Sequence, residues 1–333
     1  MTETSPASPF LGITVIVCCY NAERTISDTL RSLREQTRSP DEILVIDDGS
    51  ADRSLEVVNA IATADGRIRV LVNEINRGTA YSRQRGLEEA RTEAVMFFDA
   101  DDLAGPRLVE TQERVLLGDA AILGVGSHAH YFSEEGVAGH LGTQRVGPTD
   151  RDAALKLYRA GKLMFMPPVT LFRREDALAV GGYRQSLMPN PQGIRYEDFA
   201  EDLDLWCRMS DLGGEGRYFM VVPQPLYRYR KPAGSLSTRN LGLMQLKMRW
   251  IRDCLARRRQ GLPELDLAAF IASRSLFERI SDWRQDRAAG FYKRAGFSWA
   301  SRRYAKLAFY LMLTAIASPK LIRQKIKTQA VSL

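Results

Sequence analysis

The chain has 333 residues, 45% hydrophobic and 26% charged, a composition that excludes a disordered, collagen-like or low-complexity protein and leaves room for one large domain with an appendage or for two domains. Lys and Arg outnumber Asp and Glu by 47 to 40, a formal charge of +7, and the excess is uneven: acids concentrate before residue 215, whereas "ARRRQ", "YKRAG", "SRRYAK" and "KLIRQKIK" follow residue 240. An acidic centre with a basic tail points to a cation-dependent site and a separate contact with an anionic surface. Cys18, Cys19, Cys207 and Cys254 form no CxxC pair and read as reduced core thiols of a cytoplasmic protein. "MTETSPASPF" has no basic stretch leading into an apolar one, so no signal peptide is expected. The longest apolar stretch, "LAFYLMLTAIA" (307–317), is shorter than the roughly 20 residues that span a bilayer.

In chain order, "ITVIVCCY" (13–20) is an apolar, β-branched first strand, and "ERTISDTLRSLREQT" follows with helical spacing of Ile26, Leu30 and Leu33. "DEILVIDDGS" (41–50) is a second strand ending in acids and a glycine turn, "SLEVVNAIATA" a second helix and "RIRVLVN" (67–73) a third strand. "TAYSRQRGLEEAR" is a third helix and "AVMFFDADD" a fourth strand. Alternation at this spacing predicts a mostly parallel, Rossmann-like α/β sheet, whose ligands sit at the carboxyl ends of the strands. Beyond it, "AAILGVGSHAHYF" and "GRYFMVVPQPLYRYR" look like strands and "AEDLDLWCRMSDLG" like a helix ending at Gly213, and from 241 onward the pattern is helical.

The acids fall at the strand ends. Asp99 and Asp101 are two apart in an extended segment, so both carboxylates can face one cation; oxygen ligands of this hardness suit Mg²⁺ or Mn²⁺. The bland alternative is a solvated turn, yet a turn needs one Asp, not the three of "DADD". "DDGS" (47–50) fits an Asx turn into a capped helix, or a contact with a ring N–H or a ribose hydroxyl. "NRGTAYSRQRG" (76–86) opens a helix with Gly78 and Thr79 and is expected to expose Arg83 and Arg85, as a phosphate clamp or a solvated basic face. "EDLDLW" (201–206) is a well-charged helix start or a carboxylate aimed at a substrate hydroxyl as general base, with Asp198 in "YEDF" a competitor. His128 and His130 share a strand face without a third ligand nearby. There is no GxGxxG after strand one, no GKS/T loop and no GxSxG.

As an ordered series, "ITVIVCCYNAERTISDTLRSLREQT", "DEILVIDDGSADRS", "NRGTAYSRQRGLEEA", "FFDADD" and "EDLDLWCRM" resemble the family 2 glycosyltransferases of the GT-A fold, of the bacterial cell-surface glycan type. The resemblance implies a GT-A domain over 10–240, with a nucleotide-sugar-binding half (10–118) and an acceptor-binding half (119–240), followed by a basic helical extension over 241–333. It also implies inverting transfer from a nucleotide diphosphate sugar to a glycan or lipid-linked hydroxyl, with no nucleic-acid partner. Tyr20, Asn21, Glu23 and Asp48 would meet the base and ribose and Arg83 would hold the donor; Asp99 and Asp101 match the DxD of a Mn²⁺ or Mg²⁺ site, and Asp202 the catalytic base. The series departs from the family at "YRYRKPAGSLS", where Arg230 stands in place of a His that joins the metal site; a guanidinium cannot bind a cation but can neutralise diphosphate. The alternative is a non-catalytic nucleotide-sugar-binding module of the same fold. The tail over 301–327 sets Leu307, Phe309, Leu311 and Met312 between Arg302, Arg303, Lys320, Arg323 and Lys325, which predicts either a helix packed on the domain or a peripheral contact with an anionic membrane at its cytoplasmic face.

Overall fold

The computed structural model describes residues 11–132, 142–188, 193–230, 240–300, 303–319 and 321–323. The segment after Arg230 and, in the tail, Arg302, Lys320 and Lys325 lie outside the described residues. Three buried runs form β1 (Ile13–Cys19), β2 (Glu42–Asp47) and β4 (Ala94–Asp99), a partly exposed one forms β3 (Ile68–Val72), and α1 (Ile26–Arg34), α2 (Ser54–Ala64) and α3 (Thr79–Glu89) lie between them. The strands pair in parallel in the order β3-β2-β1-β4. The inner strands β1, β2 and β4 read as apolar runs because helices cover parallel sheets on both faces; β2 is buried at every position, whereas β3, at the end of the strand order, is not.

Past β4 the sheet turns mixed. β5 (Leu103–Ala104), β6 (Ile122–Phe132), β7 (Thr143–Gln144), β8 (Thr170–Arg173) and β9 (Tyr218–Arg230) complete, among the described residues, nine strands in the order β3-β2-β1-β4-β8-β6-β9-β5, with β7 on β6. β8 runs antiparallel to both β4 and β6, and β9 runs parallel to β6. α4 (Leu108–Gly118), α5 (Arg151–Arg159), α6 (Arg174–Ala179) and α7 (Glu201–Met209) flank this half. An aromatic series seats α7 on the sheet: buried Trp206 meets Phe172 of β8 at 5.0 Å and Phe219 of β9 at 5.4 Å between ring centres, both edge-on. Residues four apart share a helix face, so this anchor also directs Asp202, one turn earlier, towards the sheet.

The chain divides into two compact units, Met1–Ser235 with Ile251–Glu264, and Leu236–Trp250 with Leu265–Leu333. In the second, helices Leu276–Ala300 and Tyr304–Ala317 pack on each other. Arg249 bonds Asp286 there at 2.8 and 3.0 Å. Among the described residues no helix is long and apolar enough to cross a membrane. All four cysteines are free thiols, and burial pushes those of Cys19, Cys207 and Cys254 up to about 12.

Candidate functional site

In the parallel register Cys18 of β1 stands beside Ile46 and Asp99, and Cys19 beside Asp47. The carboxyl ends of β1, β2 and β4 therefore bring their acids to one edge, and the Cys18 thiol lies within electrostatic reach of Arg83, Asp99, Asp48 and Asp202. The residues expected to meet base and ribose have different surroundings. Tyr20 is 50% exposed. Asn21, in the left-handed region at φ 50°, accepts the Ala51 N–H at 2.8 Å, and Glu23 accepts that of Arg53 at 3.1 Å, so both brace the β2–α2 loop. Asp48 is buried and committed: Oδ1 accepts from Asn73 Nδ2 (2.7 Å) and the Arg77 N–H (2.9 Å), and Oδ2 from the Gly78 N–H (2.8 Å).

The sequence expectation that Arg83 is exposed is corrected by the structure, where Arg83 is 4% exposed. With Ala80 and Leu87 it occupies the buried stripe of α3, at the i, i+3, i+7 spacing of a core-facing helix. A buried guanidinium is tolerated only when paired. Nη2 lies 3.2 Å from Asp99 Oδ1; Nη1 lies 3.2 Å from Glu201 Oε1 and in a short bond to Asp202 Oδ1. These carboxylates hold Arg83 protonated despite its burial, and it stacks 5.6 Å over the Phe97 ring. Arg85 is likewise engaged, donating to Val72 O at 2.8 Å.

The "DADD" turn is clamped from two sides. Thr25 Oγ1 donates to Ala100 O (2.9 Å) and Thr29 Oγ1 to Asp102 O (2.9 Å). Arg230 donates its backbone N–H to Asp102 Oδ1 (2.8 Å) and Nε to Asp101 O (2.7 Å). The expected proximity of Arg230 to the acids is thus present, through β9 lying beside the turn. Burial, then the nearby Asp99 and Asp101 charges, push the Asp102 carboxyl well above the usual range. Arg83, set against Asp99, offsets part of the repulsion among the three acids.

At the start of α7 the acids divide. Asp204 points into the core and pairs with Arg208 (2.9 Å) and Arg184 (3.1 Å). Asp202 stays 23% exposed at its side chain, with Oδ1 accepting from Arg83 and from the Tyr183 hydroxyl at 3.1 Å. Among the described residues no donor bonds Asp202 Oδ2. Tyr183 escaped the sequence reading; the signal was the pair Gly181 and Gly182, both at positive φ, which turn the chain so that this ring is buried edge-on against Phe97 at 5.3 Å. Asp198, the competitor for the base, instead caps α3 by accepting the Ala80 N–H at 2.8 Å. A Cβ on Gly78, at φ +96°, would lie 2.3 Å from Asp198 Oδ2, which is why glycine stands there.

Among the described residues no three His, Cys, Asp or Glu side chains form a metal-holding group, and His128 and His130 have no third partner of that kind. The donor set therefore does not fit a cation caged by protein. It fits a hard divalent ion that takes one or two carboxylates and completes its shell with substrate phosphates; the partly exposed Asp99 carboxylate, 38% exposed at its side chain, is such a donor.

Residues 14–180 match the family described as Glycosyl transferase family 2. The chain is 30% identical over 222 residues to an uncharacterized glycosyltransferase of Haemophilus influenzae, covering 66% of this chain and 65% of that protein. It is 36% identical over 125 residues to the putative glycosyltransferase EpsH of Bacillus subtilis, 38% of this chain and 36% of that one. The chain thus spans only part of the length of these relatives. By fold it is similar to S. aureus TarS 1-349, with TM-score 0.51 and 17% identity over 91% of this chain and 90% of that one, and to the same protein in complex with UDP, with TM-score 0.50 and 18% identity over 84% and 80%.

Proposed function

This chain belongs to glycosyl transferase family 2, and on that premise we propose that it moves a sugar from a nucleotide diphosphate to an acceptor hydroxyl with inversion at the anomeric carbon. The observation that carries this reading is the meeting of Asp99 and Asp202 on the buried guanidinium of Arg83, with both donors of Asp202 on Oδ1 and, among the described residues, none on Oδ2. Two donors on Oδ1 fix the carboxylate and leave Oδ2 to receive a proton. The acceptor O–H attacks the anomeric carbon, its proton passes to Asp202, and the bond to the diphosphate oxygen breaks with its electron pair leaving on the diphosphate. One displacement from the opposite face inverts the centre.

Asp99 and Asp101 would hold a Mn²⁺ or Mg²⁺ ion, which when bound supplies charge neutralisation on the departing diphosphate. Arg230 adds a fixed cation beside the same turn. Tyr20, half exposed at the end of β1, offers a ring face to the nucleotide base. Asp48 acts on the site at second hand, by holding the turn at 77–78 against β2. The acceptor class implied by the resemblance of the sequence motifs is a cell-surface glycan or a lipid-linked sugar.

A thermal-shift panel of nucleotide sugars tests the reading. UDP-linked donors come first, since the neighbour by fold was solved with UDP, each with and without Mn²⁺. A ligand that binds only the native state raises its melting temperature. We expect at least one donor to do so with Mn²⁺, and to release free nucleoside diphosphate once an acceptor is added, with the product of opposite anomeric configuration by NMR. Binding without release would assign the chain to the non-catalytic module; retention of configuration would remove the single displacement.

A further inference from the structure

Residues 265–333 carry 13 Lys and Arg against 4 Asp and Glu, a net +9, whereas residues 1–264 sum to −2. The basic excess of the whole chain is therefore confined to this terminal part. The same part exposes large apolar side chains in register. On helix Tyr304–Ala317, Phe309, Met312 and Ile316 are 52, 52 and 65% exposed, at the i, i+3, i+7 spacing of one face. On helix Leu276–Ala300, Leu276, Ile280 and Trp283 are 75, 51 and 59% exposed, again on one face at i, i+4, i+7. Exposed arginines accompany both: Arg284 and Arg287 beside Trp283, with Arg287 lying 5.3 Å over its ring, and Arg303 with Lys306 at the start of the shorter helix. Helix Tyr304–Ala317 has Lys306 as its only charged residue, so its outward face has no polar side that would make water its natural surroundings.

We propose that these two helices form a lipid-binding surface that lies in the headgroup layer of an anionic bilayer. The surface is wider than the tail over 301–327 picked out by sequence, because it includes the first turns of helix Leu276–Ala300. An anionic bilayer matches both features at once: acyl chains receive the apolar faces while phosphate headgroups meet the arginines, whose long stems reach outward from a buried base. A second copy of the chain matches only one of them, since it would bring two faces of net positive charge together. Neither helix is long and apolar enough to cross the bilayer, so they lie along it.

The test is co-sedimentation of the full chain with phosphatidylcholine vesicles that contain or lack phosphatidylglycerol, at low and high salt and without donor or acceptor, so its outcome is independent of the transfer reaction. The expected result is binding only to the anionic vesicles and weaker at high salt. A roughly tenfold or greater loss is expected in Arg303→Gln/Lys306→Gln, and a comparable loss in Phe309→Glu/Met312→Glu/Ile316→Glu, both variants keeping the parent's donor-induced thermal shift or, if no donor is found, its far-UV spectrum and melting temperature. No binding to anionic vesicles at low salt overturns the proposal. So does full binding by the Phe309→Glu/Met312→Glu/Ile316→Glu variant. If sedimentation velocity shows a dimer that this variant dissolves while vesicle binding is unaffected, the face belongs to a second copy and the proposal is wrong.

Discussion

Arg83 is where the chemistry and the fold meet. Its guanidinium is shared by Asp99, Glu201 and Asp202, so it holds the acids of β4 and α7 together rather than presenting itself to solvent. Tyr183 supplies the second donor to Asp202 Oδ1. Tyr183→Phe keeps the ring and removes that donor; the loss of one hydrogen bond to a charged group, about 1.5 kcal/mol, lowers kcat roughly tenfold with the donor KM unchanged, as steady-state kinetics will show. Asp101→Asn is expected to weaken metal-dependent donor binding without unfolding the protein; calorimetry with Mn²⁺ that gives equal affinity in variant and parent would remove the metal role. The acidic triplet of "DADD" stood out in the sequence because a turn needs one Asp, not three, whereas the acids of "EDLDLW" fitted a charged helix start as well as a general base. The burial of Arg83 was not legible, because its compensating charges come from β4 and α7, far along the chain. Asp48 was legible as an acid at a strand end, but its hydrogen bonds to the turn at 77–78 depend on how that turn folds back on β2.

Among elements, the four parallel strands and the helices between them could be read from apolar runs and periodicity, because each is long enough to carry its own pattern. β5, with two residues, and β8, with four, could not: their pairing is set by neighbours and not by local sequence. The start of α3 illustrates the same dependence. Gly78 offers no side-chain cap, and Asp198 from the later segment supplies one. Gly78→Ala forces a Cβ onto the Asp198 carboxylate at a positive φ, and strain of this kind costs about 1–3 kcal/mol; the expected outcome is a lower melting temperature and a loss of transfer, since α3 carries Arg83. Asp65 joins Arg34 of α1 (2.8 Å) to Arg67 before β3 (2.6 Å), and these guanidiniums hold its carboxyl well below the usual range. A depressed folded value means that the stabilisation is present above the unfolded value of about 3.9 and lost as pH falls through the folded one. Asp65→Asn is therefore expected to cost roughly 1 kcal/mol at neutral pH, the arginines being partly exposed, and the gap to the parent should close in urea melts as pH drops below about 4.

Across the whole molecule, charge and chemistry separate. The acids proposed to serve transfer lie in the first unit, and the basic, apolar-faced helices form part of the second. This division follows from sequence composition, whereas the exposure of Trp283 and Ile316 emerged only once the helices had packed and chosen their inner faces. The account stands on Asp202 acting on the acceptor and not on the donor. A general base contributes to the chemical step, typically 10²–10⁴-fold, and leaves donor affinity alone. The decisive measurement is nucleoside diphosphate release by parent, Asp202→Asn and Asp198→Asn, with donor Kd measured on each by calorimetry. The prediction is that Asp202→Asn loses turnover by roughly 10²–10⁴-fold at an unchanged Kd while Asp198→Asn, whose amide oxygen still accepts the Ala80 N–H, remains active. An active Asp202→Asn beside an inactive Asp198→Asn would contradict it.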